Sequence, residues 1–238
     1  MSPPFLKPFW LYYGGKWRAA PYYPQPKYGT IIEPFAGAAG YSLRHYKRNV
    51  VLVEKYPVIA EMWRYLIRVT GFEIRRIPYV THVDDLPGWV PDGGRALVGF
   101  AMNSAVTAPR KTLSARNAGW CESLRERVAT QVSLIRHWVV YEDDYSTVDS
   151  IGPATWFIDP PYQAAGKYYI HNGSTIDFES LGSWCKTRRG QIIVCENDGA
   201  QWLPFRHFRD IRASHCPSSE FRSSPGVSSE AIWLEDNP

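Results

Sequence analysis

The feature that most restricts the fold is a short apolar run, Thr155-Trp156-Phe157-Ile158, that stops at Asp159-Pro160-Pro161-Tyr162. A proline pair offers no N–H to a β-ladder, so the backbone must leave the sheet there. Other short apolar runs read as buried strands: Thr30 to Ile32, Val50 to Val53, Val139 to Tyr141, Gln191 to Cys195 and Ala231 to Leu234. Ala96 to Phe100 fits a further strand. Between them lie helical patterns at Tyr41–Tyr46, Tyr56–Val69, Trp120–Trp138 and Phe178–Lys186. Gly14-Gly15-Lys16 reads as a tight loop leading into a helix. Strands alternating with helices predict an α/β fold with a mostly parallel, Rossmann-like central sheet. In such sheets ligands sit beyond the carboxyl ends of the strands. Glu33, Glu54, Asp144 and Asp159 all fall at or just after such ends.

At 238 residues the chain accommodates one α/β domain plus a small insertion. The regular pattern covers residues 1–70 and 139–238; residues 71–138 read as the insertion, loosest between Gly71 and Gly119. Hydrophobic residues at 45% and charged residues at 21% suffice for a packed core. Aromatic residues at 15% suit stacking on planar ligands, although most such rings simply fill cores. A net charge of +4 permits contact with a phosphate backbone without demonstrating it. Cys121, Cys185, Cys195 and Cys216 have neither zinc-site nor disulfide-framework spacing and read as reduced, mostly buried thiols. The six histidines are scattered, so no metal site is expected. The absence of a signal-like stretch and of 18 uninterrupted apolar residues predicts a cytoplasmic protein without membrane spans.

Asp159-Pro160-Pro161-Tyr162 carries the sharpest chemistry. A nucleobase amino group conjugates its lone pair with the ring and is a poor nucleophile. Acceptors aimed at its two N–H bonds draw the nitrogen towards tetrahedral geometry and free that pair. The Asp159 carboxylate and Pro160 carbonyl suit this task, and Pro160 and Pro161 stiffen the loop so that the acceptors are set beforehand. Tyr162 offers a ring for a planar base to stack on. A base inside a duplex must first be flipped out. The same four residues also fit a plain strand-ending turn capped by a tyrosine.

Phe35-Ala36-Gly37-Ala38-Ala39-Gly40 follows one strand and opens a helix, and its small residues let a ligand approach the backbone. A tight strand–helix turn has the same composition. Glu54, at the end of the next strand, is suited to accept hydrogen bonds from ribose hydroxyls, or to be solvated there.

Tyr12-x-Gly14-Gly15-Lys16, Glu33-Pro34-Phe35-Ala36-Gly37, Asp144-Tyr145 and Asp159-Pro160-Pro161-Tyr162 occur in this order. Order and spacing resemble the DNA adenine methylase family (Dam-like enzymes of the alpha arrangement), over residues 5–69 and 139–238. The resemblance implies a Rossmann-like methyltransferase fold, S-adenosylmethionine as cofactor and double-stranded DNA as partner, in a bacterial or phage-infected cell. By that resemblance Tyr12 and Lys16 line the methionine end of the cofactor, Phe35, Ala36 and Gly37 form its floor, and Gly14, Glu33 and Asp159 also belong to the cofactor-binding set. Glu54 holds the ribose, and Asp144 with Tyr145 meets the cofactor adenine. Asp159, Pro160 and Tyr162 hold the target base, with Pro161 in the same active-site turn. Ala39 stands where relatives commonly carry glycine. Asp177-Phe178 and Ile192-Ile193-Val194 resemble the family's closing motifs, and Arg222 to Gly226 occupies the place of a polar loop.

The insertion then becomes the target-recognition region, with Arg110, Lys111 and Arg116 as its DNA contacts; a solvated charged loop has the same composition. The expected reaction is direct transfer of the sulfonium methyl to adenine N6, with no covalent enzyme intermediate. No Pro-Cys dipeptide is present, which argues against cytosine C5 chemistry. N4 methylation of cytosine and a catalytically inactive DNA-binding module are the alternatives. Met102 to Ala105 lacks the pattern of relatives that recognise GATC, and neither target sequence nor oligomeric state is readable.

Overall fold

The computed structural model describes residues 3–104, 106–115, 117–148, 152–163, 173–212 and 227–237. Strands β1 (Thr30–Glu33), β2 (Asn49–Val53), β3 (Val139–Tyr141), β4 (Ala154–Ile158), β5 (Gly190–Asn197), β6 (Arg206–Arg212) and β7 (Val227–Asn237) form one sheet in the order β3-β2-β1-β4-β5-β7-β6. The first five are parallel; β7 runs antiparallel to both β5 and β6. The mostly parallel α/β architecture expected from the sequence is therefore present.

Alternate residues of each strand enter opposite layers. Ile31, Phe157, Ile193, Cys195 and Ile232 pack with helix α1 (Pro57–Arg68), α3 (Asp92–Ala101) and α4 (Glu122–Gln131). Ile32, Trp156, Ile158, Val194 and Trp233 pack against α5 (Phe178–Lys186). Proline in the first turn opens α1, whose buried stripe is Ile59, Met62, Trp63 and Leu66. Trp63 is fully buried, and its Nε1 donates to the Gly37 carbonyl at 2.8 Å. Core packing thus fixes the loop after β1; truncating such a tryptophan costs about 3–5 kcal/mol.

Residues 54–138 form the parallel crossover from β2 to β3. They include α2 (Gly71–Arg76), started by a Thr70/Glu73 capping box, as well as α3 and α4. Here the structure overturns one expectation: Ala96 to Phe100 is not a strand but the last half of α3. The apolar run was too short to separate the two by period. Packing decided it, because Gly93 lets α3 approach α1 so closely that a Cβ there would lie 2.5 Å from Tyr65 Cβ. The segment after Gly15 is a single 3₁₀ turn (Lys16–Arg18), Tyr41–Tyr46 contracts to the 3₁₀ turn Ser42–His45, and the long helix towards Trp138 is α4 plus the 3₁₀ turn Val132–Ile135. Strand β6, with the sequence RHFRDIR, carries too many charges to be read as apolar. Cys185 and Cys195 are buried and Cys121 is half-buried, all free thiols; Cys216 lies outside the described residues. Among the described residues no helix is long and apolar enough to cross a membrane.

Candidate functional site

The strand order reverses between β1 and β4, which are neighbours although remote in sequence. A crevice opens beyond the carboxyl ends of the strands at such a switch point. Here it is a cavity of about 270 Å³. Tyr12, Gly14, Lys16, Glu33, Phe35, Ala36, Gly37, Glu54, Asp144, Tyr145 and Asp159 all line it. Segments more than a hundred residues apart in sequence thus meet at one place. Pro161 lines it too, while Pro160 and Tyr162 do not.

The loop after β1 is shaped by the strand-end acids. Glu54 Oε2 accepts from the Gly37 amide and Oε1 from the Tyr56 amide, each at 2.9 Å. Glu33 Oε1 accepts from the Ser42 amide at 2.7 Å. The Ala36 amide bonds the Val53 carbonyl and the Ala39 amide the Ala36 carbonyl. Gly37 has φ +44° and lies so close to Tyr12 that a Cβ would sit 3.2 Å from its ring. Gly40 has no room for a Cβ either, which would lie 2.4 Å from the Trp17 amide nitrogen. That close approach seats the Lys16 turn against the loop. A phosphate-cradling loop keeps its amides open to the ligand; the amides of Ala36, Gly37 and Ala39 are already committed.

Burial sets the charge of these acids. It pushes Glu33 up to about 8, against the Ser42 amide, with the Asp159 charge adding to the rise. Glu33 is therefore protonated at neutral pH. Burial raises Glu54 as well, opposed by the amides it holds. Asp144 starts desolvated but ends below the usual carboxylate range, because Lys55 Nζ lies 2.9 Å from Oδ2 and Ser146 donates to Oδ1. Phe35 and Tyr145 stack on each other with centroids 5.2 Å apart, too close for a planar ring to lie between them. A ring ligand would have to lie on the outside of the pair or part it. Asp177 reaches the cavity but also caps α5, accepting from the amides of Glu179 and Ser180.

Asp159 directly follows β4 and lines the cavity. Lys16 Nζ lies 3.0 Å from its Oδ1. The contact is a close ion pair out of full hydrogen-bond alignment with the buried Oδ1, and the Tyr162 hydroxyl lies against the same carboxylate; both favour its charged form. Lys16 instead donates to the Gly14 carbonyl at 3.1 Å and lies 4.6 Å from the centroid of the Tyr162 ring. Burial pushes Asp159 up to about 6; the Lys16 ammonium opposes this and the Glu230 carboxylate adds to it. Burial would lower Lys16, but Asp159 and Glu230 outweigh it and hold the ammonium charged.

Glu230 escaped the sequence reading. It is a buried acid on β7 whose Oε2 accepts the Tyr162 hydroxyl proton and lies 3.8 Å from Lys16 Nζ. Period-two alternation with Ile232, a core residue, was the available signal.

Arg110 and Lys111 are exposed and lie outside the cavity. Their backbone is nevertheless fixed: the Arg110 amide bonds the Gly99 carbonyl at 2.9 Å, and the Lys111 carbonyl accepts from Val83 at 2.8 Å. Val106 forms a parallel bridge with Tyr12, tying this segment to the cavity rim. Lys111 Nζ is 3.6 Å from Asp84 in a solvent-exposed pair, worth little. Arg116 and Arg222 to Gly226 lie outside the described residues. Among the described residues no group of three or more His, Cys, Asp or Glu is placed to hold a metal ion.

No protein-family model matches the chain, and no curated protein matches it. Among solved structures, a conserved hypothetical protein from Streptococcus pyogenes aligns with 91% of this chain and 89% of its own, at 11% identity and a TM-score of 0.35. Agreement at that level fixes neither fold nor function.

Proposed function

We propose that this protein is an S-adenosylmethionine-dependent methyltransferase acting on the N6 amino group of adenine in double-stranded DNA. The observation that carries the reading is the convergence of four separated motifs on one cavity, with a buried Asp159 oxygen that lacks an aligned donor. The cavity fits the cofactor in two respects. The loop amides of Ala36, Gly37 and Ala39 are committed, which suits a ligand without phosphate. Its acids, Glu54, Asp144, Asp159 and Asp177, outnumber Lys16 and Lys55, which suits a ligand bearing positive charge. Glu54 retains a lone pair on each oxygen for ribose hydroxyls. When bound, the cofactor supplies an activated, electrophilic methyl group.

The chain's own residues do the rest. Asp159 Oδ1 accepts one N–H of the flipped base and the Pro160 carbonyl the other, which localises the nitrogen lone pair. The Asp159 carboxylate also takes the proton that the nitrogen sheds once it is alkylated. The Tyr162 ring has Lys16 on one face, so a base stacks on the other. Glu33, protonated, keeps the loop closed without adding charge beside Asp159.

The test is methyl transfer from labelled S-adenosylmethionine to unmethylated genomic DNA, with nucleoside analysis of the product. N6-methyladenine is expected. N4-methylcytosine would overturn the base assignment, and cofactor binding without any product would overturn DNA as substrate.

A further inference from the structure

A carboxylate is rarely buried in a sheet without a partner that repays its desolvation. Glu230 is 6% exposed on β7, in register with Asn197 of β5 and Arg209 of β6. Its Oε2 reaches two groups, the Tyr162 hydroxyl and, at 3.8 Å, the ammonium of Lys16, which lines the cavity. Lys16 is therefore shared between two buried carboxylates, and its aligned hydrogen bond goes to the Gly14 carbonyl instead.

We infer that Glu230 is a positioning residue for base recognition: it tethers the Tyr162 ring and draws Lys16 out of line with Asp159, so that Asp159 Oδ1 stays open to a substrate N–H. The role of Asp159 in this inference rests on the methyltransferase reading; the coupling among the four side chains does not.

With Asp159 as its only carboxylate partner, Lys16 would turn into line with Oδ1, satisfy it and weaken it as an acceptor for the base. Removal of the Glu230 charge has that effect and also weakens, without removing, the acceptor for the Tyr162 hydroxyl. The groups that act on Asp159 from the packed elements are Lys16, Tyr23, Tyr162, Glu33 on β1, Glu230 on β7, and Cys195 and Glu196 on β5. Burial holds Cys195 and Tyr162 protonated, and Glu33 is protonated at neutral pH. Glu230 is thus the anion whose removal most changes the balance between Lys16 and Asp159.

The experiment compares wild type, Glu230→Gln, Tyr162→Phe and the double variant. Glu230→Gln keeps the shape and the acceptor and loses only the charge, so it is expected to fold. Four quantities are read: kcat, KM for DNA, cofactor affinity by calorimetry, and the Asp159 carboxyl titration by carbon NMR. Glu230→Gln is expected to lower kcat roughly ten- to a hundredfold, as for a misplaced acceptor, with cofactor affinity within about twofold. The double variant should lose much less than the product of the two single losses, because the two residues share one hydrogen bond. In the NMR arm the Asp159 titration should move to lower pH by roughly half a unit or more. An unchanged titration with unchanged kcat, or fully multiplicative losses, would overturn the inference. If wild type transfers no methyl group, the methyltransferase reading fails, and the titration alone then decides whether Glu230 governs Asp159.

Discussion

The two halves of the cavity treat their carboxylates in opposite ways. On one side, Glu54 and Asp144 have a donor on every oxygen: backbone amides on Glu54, Ser146 and Lys55 on Asp144. On the other, Asp159 and Glu230 share the Lys16 ammonium and the Tyr162 hydroxyl, and no donor stands in line with Asp159 Oδ1. A saturated acid shapes a framework, whereas an unsaturated buried acceptor is costly in the resting protein and gains its partner only when something binds. Under the proposed methyltransferase reading, the first half is a preformed seat and the second the place where a substrate N–H completes the structure.

Asp159 gives the largest test of that difference. Asp159→Ala is expected to reduce methyl transfer on the order of 10³-fold, in the range of losing one preorganised group at a reacting centre. The fold should survive, because Lys16 keeps Glu230. Normal turnover in the variant would break the comparison at its centre. The wild-type rate should also fall as pH drops through about 6, where Asp159 takes up a proton, although an ordinary aspartate would still be ionised there. A rate flat down to pH 4.5 would mean that Asp159 is not the acceptor.

Glu33, between the halves, tests burial itself. Its folded value of about 8 exceeds its unfolded value of 4.5, so the native state holds the proton more tightly. Stability is then fullest below pH 4.5 and is lost as pH rises through 8. Across that window the loss is on the order of a few kcal/mol. Glu33→Gln should flatten this slope in denaturant melts at pH 5, 7 and 9. In the seat, Glu54→Ala should cost about 2 kcal/mol by freeing two buried amides, and should weaken cofactor binding; a change in turnover at saturating cofactor, with stability untouched, would reverse the roles of the two halves.

How much of this was legible in the sequence depends on where each residue's partner lies. Strand ends and their acids were readable because apolar runs and the Asp159-Pro160-Pro161 stop are local signals. Glu230 was not, since its meaning lies in Lys16 and Tyr162, which are far off in the chain. The Ala96–Phe100 run was misread because only Tyr65, on another helix, could decide it. Arg110 and Lys111 were legible as charges but not as a surface. Their fixed backbone near the rim predicts that replacing both by Ala weakens DNA binding roughly tenfold and lowers the salt slope by about 2. Cofactor affinity should not change, and unaltered DNA affinity would move the recognition surface elsewhere.

The smallest effect bears on the seat alone. Ala39 stands where glycine was the common expectation, and it has φ 48°, the only non-glycine residue with positive φ among those described. A Cβ in that region costs about 1 kcal/mol or slightly more. The strain is held by the Ala39 amide on the Ala36 carbonyl at 2.7 Å and by the Leu43 amide on the Ala39 carbonyl at 3.0 Å. Glycine would relieve the strain but enlarge the unfolded ensemble and remove a buried methyl. Ala39→Gly is therefore expected to raise stability by no more than about 1 kcal/mol, read from denaturant midpoints at constant slope, with cofactor affinity unchanged. A gain in stability accompanied by a loss of cofactor affinity would show that the rigidity of this turn, and not only its shape, belongs to the seat.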